Sequence, residues 1–336
     1  MTSRERVRRA IRFQGPDRIP HLLPDGKEND ILCLWPPGPP PKQDWKNDGD
    51  KDFMIDAWGN VRYRAAGGVL GFGEVSEPAI KDVRQQAECV FPDKNNPEHC
   101  TELRKTIEQN HRSDNPLYVL GVMPFAGLFA GLHGIMGLEP LLVAMYEEPD
   151  HVKALLQRMA DAQKDSIRLL HDLGCDGVMA YDDWAVQDRL IMSAAQTEEF
   201  FMPHYRANWA LAHELGMDVW MHSCGYIVEL LPGFIDAGLN VIQMDQQENM
   251  GLELLNERFG GKLAFWCPVD IQRTMVEGSP EAVRAYVKRM IETLGGHNGG
   301  FVSKAYADPD AVHHKPENTA AMCAAFREFE ALTIAD

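Results

Sequence analysis

A histidine and a cysteine separated by one residue have the clearest chemical potential in this chain. His222 and Cys224 stand at i and i+2, so both side chains can point to the same side of an extended segment. An imidazole nitrogen and a thiolate are zinc ligands, and Cys267, at the end of another apolar segment, could be a third. Three protein ligands and one open position are typical of catalytic zinc. The spacing predicts such a site, and a buried cysteine beside a hydrogen-bonded core histidine is the alternative.

Carboxylates and a phenol form a second group of candidates. Asp182 and Asp183 are adjacent, and neighbouring carboxylates in a cleft raise the pKa of one of them. We therefore predict a general acid and base, or a pair that orients substrate, while a helix cap beside a solvated charge fits equally well. Asp245 is a candidate substrate-binding residue, and Tyr306 is a catalytic candidate because its hydroxyl could meet a substrate oxygen.

Aromatic residues complete the predicted site. Phe125, Trp184 and Trp266 follow or end apolar segments, as the polar candidates do. We predict that they line a pocket for an apolar or aromatic ligand, and packing above a sheet is the alternative.

The elements that position these residues follow a regular order. From residue 117 onward, apolar segments of about five residues alternate with helical segments of ten or more, which demands parallel strands. No strand is followed by a G-x-G-x-x-G turn, so a TIM-like (β/α)8 barrel is favoured over an open doubly wound sheet. In such barrels chemistry takes place at the carboxyl ends of the strands, where the candidates lie. We predict one domain over residues 1–336.

Residues 35–115 interrupt this regularity. The segment begins with a proline-rich run and continues with charged sequence of little sustained periodicity. We predict an irregular insertion within the barrel domain. It would consist of loops and small hairpins over the barrel surface, or of a lid that contributes to substrate specificity.

Composition excludes several classes of protein. The chain has 336 residues, 50 acidic against 33 basic side chains and a net charge of −17, which disfavours binding to nucleic acids and anionic membranes. Its first 13 residues lack the apolar run of a signal peptide, and the most apolar stretch, 119–132, is too short to span a bilayer. Seven scattered cysteines do not resemble a disulfide framework. We predict a cytoplasmic protein without nucleic-acid or membrane partners.

Four segments together resemble the uroporphyrinogen decarboxylase superfamily, whose members are TIM-like barrels. They are SRERVRRAIRFQGPDRIP at 3–20, YDDW at 181–184, HSCG at 222–225 and GGFV at 299–302. The decarboxylases of this superfamily carry an Arg-Gln-Ala-Gly-Arg run after the first strand, whose arginines hold the substrate carboxylates. Here residues 24–30 read PDGKEND, and three acids with one lysine would repel a polycarboxylate.

The corrinoid-dependent methyltransferases are the better match, since they bind zinc through H-x-C and a more distant cysteine. His222 and Cys224 match that pair, whereas the distant cysteine falls where this chain has Ser303 and Ala305, so Cys267 would have to replace it. The resemblance implies methyl transfer between a small molecule, such as an aromatic methyl ether or a thiol, and a corrinoid. No D-x-H-x-x-G motif is recognisable, so a separate protein would carry the corrinoid.

Two further points follow from the resemblance. A homodimer is possible, because relatives often pair. The alternative activity is that of a metal-free decarboxylase of a smaller carboxylic acid, with Asp182 or Asp183 and Tyr306 as its catalytic groups.

Overall fold

The computed structural model describes residues 1–66 and 73–331. Its strands, in chain order, are β1 (His21–Leu22), β2 (Ile31–Leu34), β3 (Gln43–Asp48), β4 (Lys51–Ile55), β5 (Val61–Ala65), β6 (Glu74–Glu77), β7 (Tyr118–Val122), β8 (Gly177–Tyr181), β9 (Asp218–His222), β10 (Val241–Gln243), β11 (Ala264–Cys267) and β12 (Phe301–Lys304). Eight of them form one parallel sheet in the order β1-β12-β11-β10-β9-β8-β7-β2, and the other four form an antiparallel sheet in the order β3-β4-β5-β6.

Helices surround the parallel sheet. The α-helices are α1 (Ser3–Ile11), α2 (Thr101–His111), α3 (Leu128–Met136), α4 (Leu138–Glu147), α5 (Pro149–Leu173), α6 (Ala194–Phe200), α7 (Met202–Glu214), α8 (Leu231–Ala237), α9 (Leu252–Phe259), α10 (Pro280–Leu294) and α11 (Pro316–Glu328). Short 3-10 helices cover Val83–Glu88, Pro97–Cys100 and Gln247–Asn249.

The predicted (β/α)8 barrel is confirmed, although the sequence pattern did not predict one of its strands, β2. β2 has only four residues and pairs in parallel with β7. At the seam between β1 and β2, the backbone N–H of Asp30 donates to the carbonyl of His21 at 2.8 Å, so the sheet is nearly closed.

Side chains on the barrel strands alternate between two apolar cores. One core fills the barrel and contains Leu120, Met179, Trp220, Trp266 and Val302. The other lies between the sheet and the helices, and it contains the neighbouring residues Val119, Val178, Met221, Phe265 and Phe301. Since successive side chains of a strand point to opposite faces, a shift of one residue decides whether a side chain faces the barrel axis.

Helix α1 closes the end of the barrel where the strands begin, which we call the bottom. The hydroxyl of Thr2 accepts a hydrogen bond from the backbone N–H of Glu5 and caps the helix. Val7 and Ile11 pack into the core inside the barrel. The first helix of the sequence is therefore a plug for the barrel, opposite the end where chemistry is expected.

Residues 35–115 are more ordered than predicted. They contain the antiparallel sheet β3-β4-β5-β6, helix α2 and two of the 3-10 helices, while residues 67–72 lie outside the described part. Gly49 has φ of 70° in the turn between β3 and β4, as a tight hairpin requires. Polar side chains on both faces of β3 leave the strand without a pattern of apolar alternation. The role of this segment as a lid and the single domain over residues 1–336 stay predictions.

No single helix among the described residues has the length and apolar character needed to cross a membrane. The consecutive helices α3 and α4 pass that test only when they are taken together, and they are bent by 102° at the break between them.

Candidate functional site

Two neighbouring strands bring three potential metal ligands together at the mouth of the barrel, where the strands end. His222 is the last residue of β9 and faces inward, Cys224 follows it, and Asp183 follows β8. The ligand atoms of all three lie within 4.8 Å of one another. His222 Nε2 is 3.3 Å from an Asp183 carboxylate oxygen and 3.5 Å from Cys224 Sγ. A nitrogen, a sulfur and an oxygen thus converge on one point.

The loop after β9 has a fixed path. The backbone N–H of Cys224 donates to Asp183 Oδ1 at 2.7 Å, which ties the two loops together. Gly225 has φ of 81°, and a Cβ there would lie 2.5 Å from the carbonyl oxygens of Ala185 and Val186. Only glycine therefore allows the loop to approach the neighbouring backbone so closely.

A hydrogen-bonded chain beneath the imidazole orients it. Gln243 Oε1 contacts His222 Nδ1, and Gln243 Nε2 donates to Asp245 Oδ1 at 2.9 Å. Lys304 Nζ donates to the same Asp245 oxygen at 2.8 Å. Because the amide of Gln243 donates to Asp245, its oxygen is left to accept from Nδ1–H. In the neutral imidazole, which is the form that binds a metal, His222 Nε2 then carries the lone pair on the side of Asp183 and Cys224.

These residues fit a zinc ion. Imidazole nitrogen, thiolate and carboxylate are ligands that zinc takes in proteins, and an outer hydrogen bond on the second ring nitrogen is the usual support for a histidine ligand. The Asp183 side chain is 55% exposed while that of His222 is 10% exposed, so the group is anchored below and open above. Three protein ligands with an open approach correspond to a catalytic rather than a structural site.

The site stabilises positive charge. Burial lowers the pKa of His222, but its contacts with Asp183 and Cys224 outweigh burial and raise the pKa to about 10. For Asp183, burial raises the pKa and the contacts with His222 lower it below the ordinary value. A cation between these groups, whether a proton or a metal ion, is therefore favoured.

Cys267, the predicted third ligand, is not part of this group. It belongs to the core outside the barrel, it has no exposed surface, and burial raises the pKa of its thiol. Trp266 faces the barrel interior, so the next residue on β11 must face the helices. Among the described residues, Asp183 takes the place that the sequence suggested for Cys267.

The two adjacent aspartates have different surroundings. Asp182 is fully buried and accepts hydrogen bonds from the backbone N–H groups of Phe129 and Ala130 and from the Tyr205 hydroxyl. Burial raises the pKa of Asp182 to about 7, although these hydrogen bonds oppose the rise. Asp182 thus holds the first turn of α3, as in the helix-cap alternative, and only Asp183 reaches the candidate site.

Trp184 and Trp266 are both buried, in different cores. Trp184 has no exposed surface and stacks on Phe129 with ring centroids 5.0 Å apart, in the core outside the barrel. Trp266 lies inside the barrel, where Lys304 Nζ is 5.5 Å from its ring centroid. Of these two predicted pocket residues, only Trp266 lies beneath the mouth.

The remaining candidates are divided between the mouth and a neighbouring cavity. Asp245 is buried and paired with Lys304. Tyr306 is partly exposed, and its pKa is raised by burial and by the charges of Asp245, Cys224 and Asp183, so its hydroxyl stays protonated at neutral pH. Phe125 lines a cavity beside the antiparallel sheet.

Comparisons with known proteins identify the family of the chain and support its fold. The model of the family described as uroporphyrinogen decarboxylase (URO-D) matches residues 61–329. Uroporphyrinogen decarboxylase from Methylococcus capsulatus is 26% identical over 196 residues, which are 55% of this chain and 51% of that protein, so the match spans about half of the relative's length. The structure of a methyltransferase from Methanosarcina mazei has a TM-score of 0.68 at 14% identity and covers 98% of this chain and 99% of its own, a likeness that shows the fold alone.

The chain belongs to the uroporphyrinogen decarboxylase family. The acidic residues at 24–30, which we expected to repel a polycarboxylate, are in this family member engaged in the fold. Asp30 is fully buried and pairs with Arg6 and Arg18, and Asp25 pairs with Arg327 at 2.7 Å. The repulsion argument against a decarboxylase substrate therefore loses most of its force.

Three residues near the site were not among the predicted site residues. Gln243 holds the imidazole of His222, and the Tyr181 ring lies 5.1 Å from that imidazole. Trp35 stacks on Tyr181 at 5.2 Å and brings the start of the 35–115 segment to the mouth of this family's barrel. Counting back by twos along each strand from an inward-facing residue would have found Gln243 and Tyr181, whereas Trp35 follows a strand that the sequence did not reveal.

Proposed function

We propose that this chain is a cytoplasmic, zinc-dependent methyltransferase that moves a methyl group between a small molecule and a corrinoid carried by a separate protein. The observation that carries the proposal is the convergence of Asp183, His222 and Cys224 at the mouth of the barrel. The structural likeness to a protein described as a methyltransferase is in keeping with it.

Different residues of the candidate site would have different roles in this reaction. His222 and Cys224 would hold zinc with Asp183, and Gln243 would keep the imidazole in the right tautomer and orientation. Zinc bound there would supply a Lewis acid that stabilises the anionic form of a thiol or of a departing phenolate. Tyr306, partly exposed and protonated at neutral pH, would donate a hydrogen bond to an oxygen of the small molecule.

Metal analysis of the purified full-length chain tests the proposal. We expect about one zinc per chain without added metal, and His222→Ala and Cys224→Ala should each lose most of it. His171→Ala is the matched control, because that imidazole is exposed on α5 beside Asp172 and should leave the zinc content unchanged. Methyl transfer from methylcobalamin to a thiol, followed by cobalamin absorbance, should fall together with zinc. Sub-stoichiometric zinc together with an active His222→Ala variant would contradict the proposal.

A metal-free decarboxylase is the second candidate. It is favoured by the match to uroporphyrinogen decarboxylase from Methylococcus capsulatus and by the pairing of the acids at 24–30 with arginines. In that case Asp183 and Tyr306 would act on a small carboxylic acid. Release of carbon dioxide from such an acid by zinc-free protein, abolished by Asp183→Asn, would support this candidate against the methyltransferase.

A further inference from the structure

A cavity of about 550 Å³ separates the antiparallel sheet from the barrel. The 35–115 segment contributes Asp56, Trp58 and Lys94 to its wall, and the barrel side contributes Phe125 and Gly134. The described lining does not include Asp183, His222 or Cys224, so this space is separate from the candidate metal group.

The apolar part of the wall consists of aromatic rings in edge contact. Trp58 lies 5.8 Å from Phe125 and 4.9 Å from Phe91, both at interplanar angles of 71°. Phe125 is itself buried to 4% exposure by the core behind it. Rings that support one another in this way present a rigid apolar surface, and a flat apolar group binds well against such a surface.

The polar part of the wall has an ammonium group without a counter-ion. Lys94 Nζ donates to the carbonyl of Pro124 at 2.9 Å and lies 5.4 Å and 5.7 Å from the ring centroids of Phe125 and Trp58. Among the described residues, Lys94 forms no ion pair, and Asp56 is the carboxylate whose charge acts on it. Burial lowers the pKa of Lys94, the charge of Asp56 opposes this shift, and the charge of Arg62 adds to it.

The carboxylate in the same wall is already engaged. Asp56 accepts hydrogen bonds from the backbone N–H groups of Trp58, Gly59 and Asn60, and it pairs with Arg62 at 2.7 Å. Its charge is therefore balanced within the sheet, and Lys94 remains a donor with two N–H bonds for a ligand.

We propose that this cavity binds a small aromatic carboxylate, with the ring against Trp58 and Phe125 and the carboxylate on Lys94. The proposal stands apart from zinc and methyl transfer, since no metal ligand lines the cavity. A link to the mouth nevertheless exists, because Ala130 lines the cavity and its backbone N–H donates to Asp182, the neighbour of Asp183.

Binding of sodium benzoate to the full-length protein tests the charge recognition, with calorimetry and tryptophan fluorescence as readouts. We expect saturable binding of benzoate, and binding of benzamide weaker by about tenfold, because the amide lacks the charge that Lys94 recognises. Lys94→Gln should weaken benzoate by about tenfold and leave benzamide unchanged. Lys81→Gln is the matched control, because that lysine is 71% exposed and already paired with Glu77.

A second variant fills the cavity without touching the charge. A Cβ at Gly134 would meet nothing within 4 Å, so Gly134→Leu places its side chain in the cavity without a clash. We expect this variant to lose benzoate binding while its melting temperature and zinc content stay unchanged. Equal binding of benzoate and benzamide, undiminished benzoate binding by Gly134→Leu, or no saturable binding of benzoate in the millimolar range would overturn the proposal.

Discussion

Carboxylates at the two ends of the barrel differ in their exposure to solvent and in the groups they contact. At the bottom, Asp176 is fully buried, pairs with Arg4 and Arg8, and accepts a hydrogen bond from the Val119 backbone N–H at 2.9 Å. At the mouth, Asp183 is 55% exposed and its partners are groups that bind metals. The bonding capacity of the bottom carboxylate is used within the fold, whereas that of Asp183 remains available to a ligand.

The same contrast extends one layer into the barrel. At the bottom, Asp218 forms an ion pair with Arg12 at 2.8 Å and accepts a hydrogen bond from the Tyr118 hydroxyl at 3.0 Å. Both of these partners belong to the fold itself. At the mouth, the chain from Lys304 through Asp245 and Gln243 ends on an imidazole whose second nitrogen faces Asp183. This difference indicates that the bottom contributes stability and the mouth contributes function, as in other barrels of this type.

The largest predicted effect is a loss of stability at the bottom of the barrel. Asp176→Ala should lower the free energy of unfolding by about 3 kcal/mol, because the Val119 N–H loses its acceptor and two arginines lose their partner. We expect no larger loss of unfolding free energy, because the Arg4 and Arg8 side chains are each 33% exposed and water can solvate their charges. Urea unfolding measures the change. Asp176→Asn keeps an acceptor for Val119 and should lose less.

The folded Asp176→Ala protein should still bind zinc as the wild type does. If it lost zinc while its circular dichroism spectrum remained native, the two ends of the barrel would not be independent, and the division between stability and function would be wrong.

The next effect is expected at the mouth. Gln243→Leu should weaken zinc binding by about 10- to 100-fold, because the imidazole of His222 loses the acceptor that fixes its orientation. Competition with a zinc chelator measures the affinity. Gln157→Leu is the control, because that glutamine is exposed on α5, where it bonds only Asp161, and its loss should leave the zinc affinity unchanged. An unchanged affinity in Gln243→Leu would show that the hydrogen bond does not support the metal group.

A smaller effect distinguishes a cysteine in the core outside the barrel from a cysteine at the mouth. Cys267→Ala should lower the free energy of unfolding by about 1 kcal/mol, since it removes one sulfur atom from a packed core, and it should leave the zinc content unchanged. Cys224→Ala is its matched partner at the mouth and should lose zinc with little change in stability. A loss of zinc in Cys267→Ala would restore this residue as a ligand.

The alternation of strands and helices was sufficient to predict the barrel, and it placed His222, Cys224 and Asp183 at the mouth. The alternation of side chains that predicts a common side for His222 and Cys224 also accounts for Asp182, directly after β8, and Cys267, the last residue of β11, which both face the helices. Trp184 comes after the strand, and its burial depends on packing among helices that local sequence does not report.

The antiparallel sheet and the cavity beside it could not be predicted from the sequence, for a different reason. Both faces of β3 carry polar residues, so the strand has no apolar period to detect. Lys94 and Phe125 are far apart in the chain, and only the tertiary fold places the ammonium group 5.4 Å from the ring. A cation without a counter-ion is visible only after its surroundings are known.

The smallest effect concerns pH at the bottom of the barrel. Burial raises the pKa of Asp17, but its hydrogen bonds with Arg6 outweigh burial and lower the pKa below its ordinary value of 3.8. A carboxyl group with a lowered pKa in the folded state stabilises the fold above its unfolded pKa and loses that contribution as the pH falls through its folded pKa. Asp17→Asn should therefore reduce the free energy of unfolding by less than about 1 kcal/mol at neutral pH, because Asp17 is 41% exposed.

The difference in unfolding free energy between wild type and Asp17→Asn should stay constant from neutral pH down to about pH 4 and shrink below it, which urea unfolding at a series of pH values measures. Added salt should reduce it further, since part of the pair is in contact with solvent. Asp188→Asn, at an ion pair whose partners are both more than 70% exposed, is the control and should show no such difference. A gap between wild type and Asp17→Asn that widened on acidification would mean that Arg6 does not stabilise the charged form of Asp17.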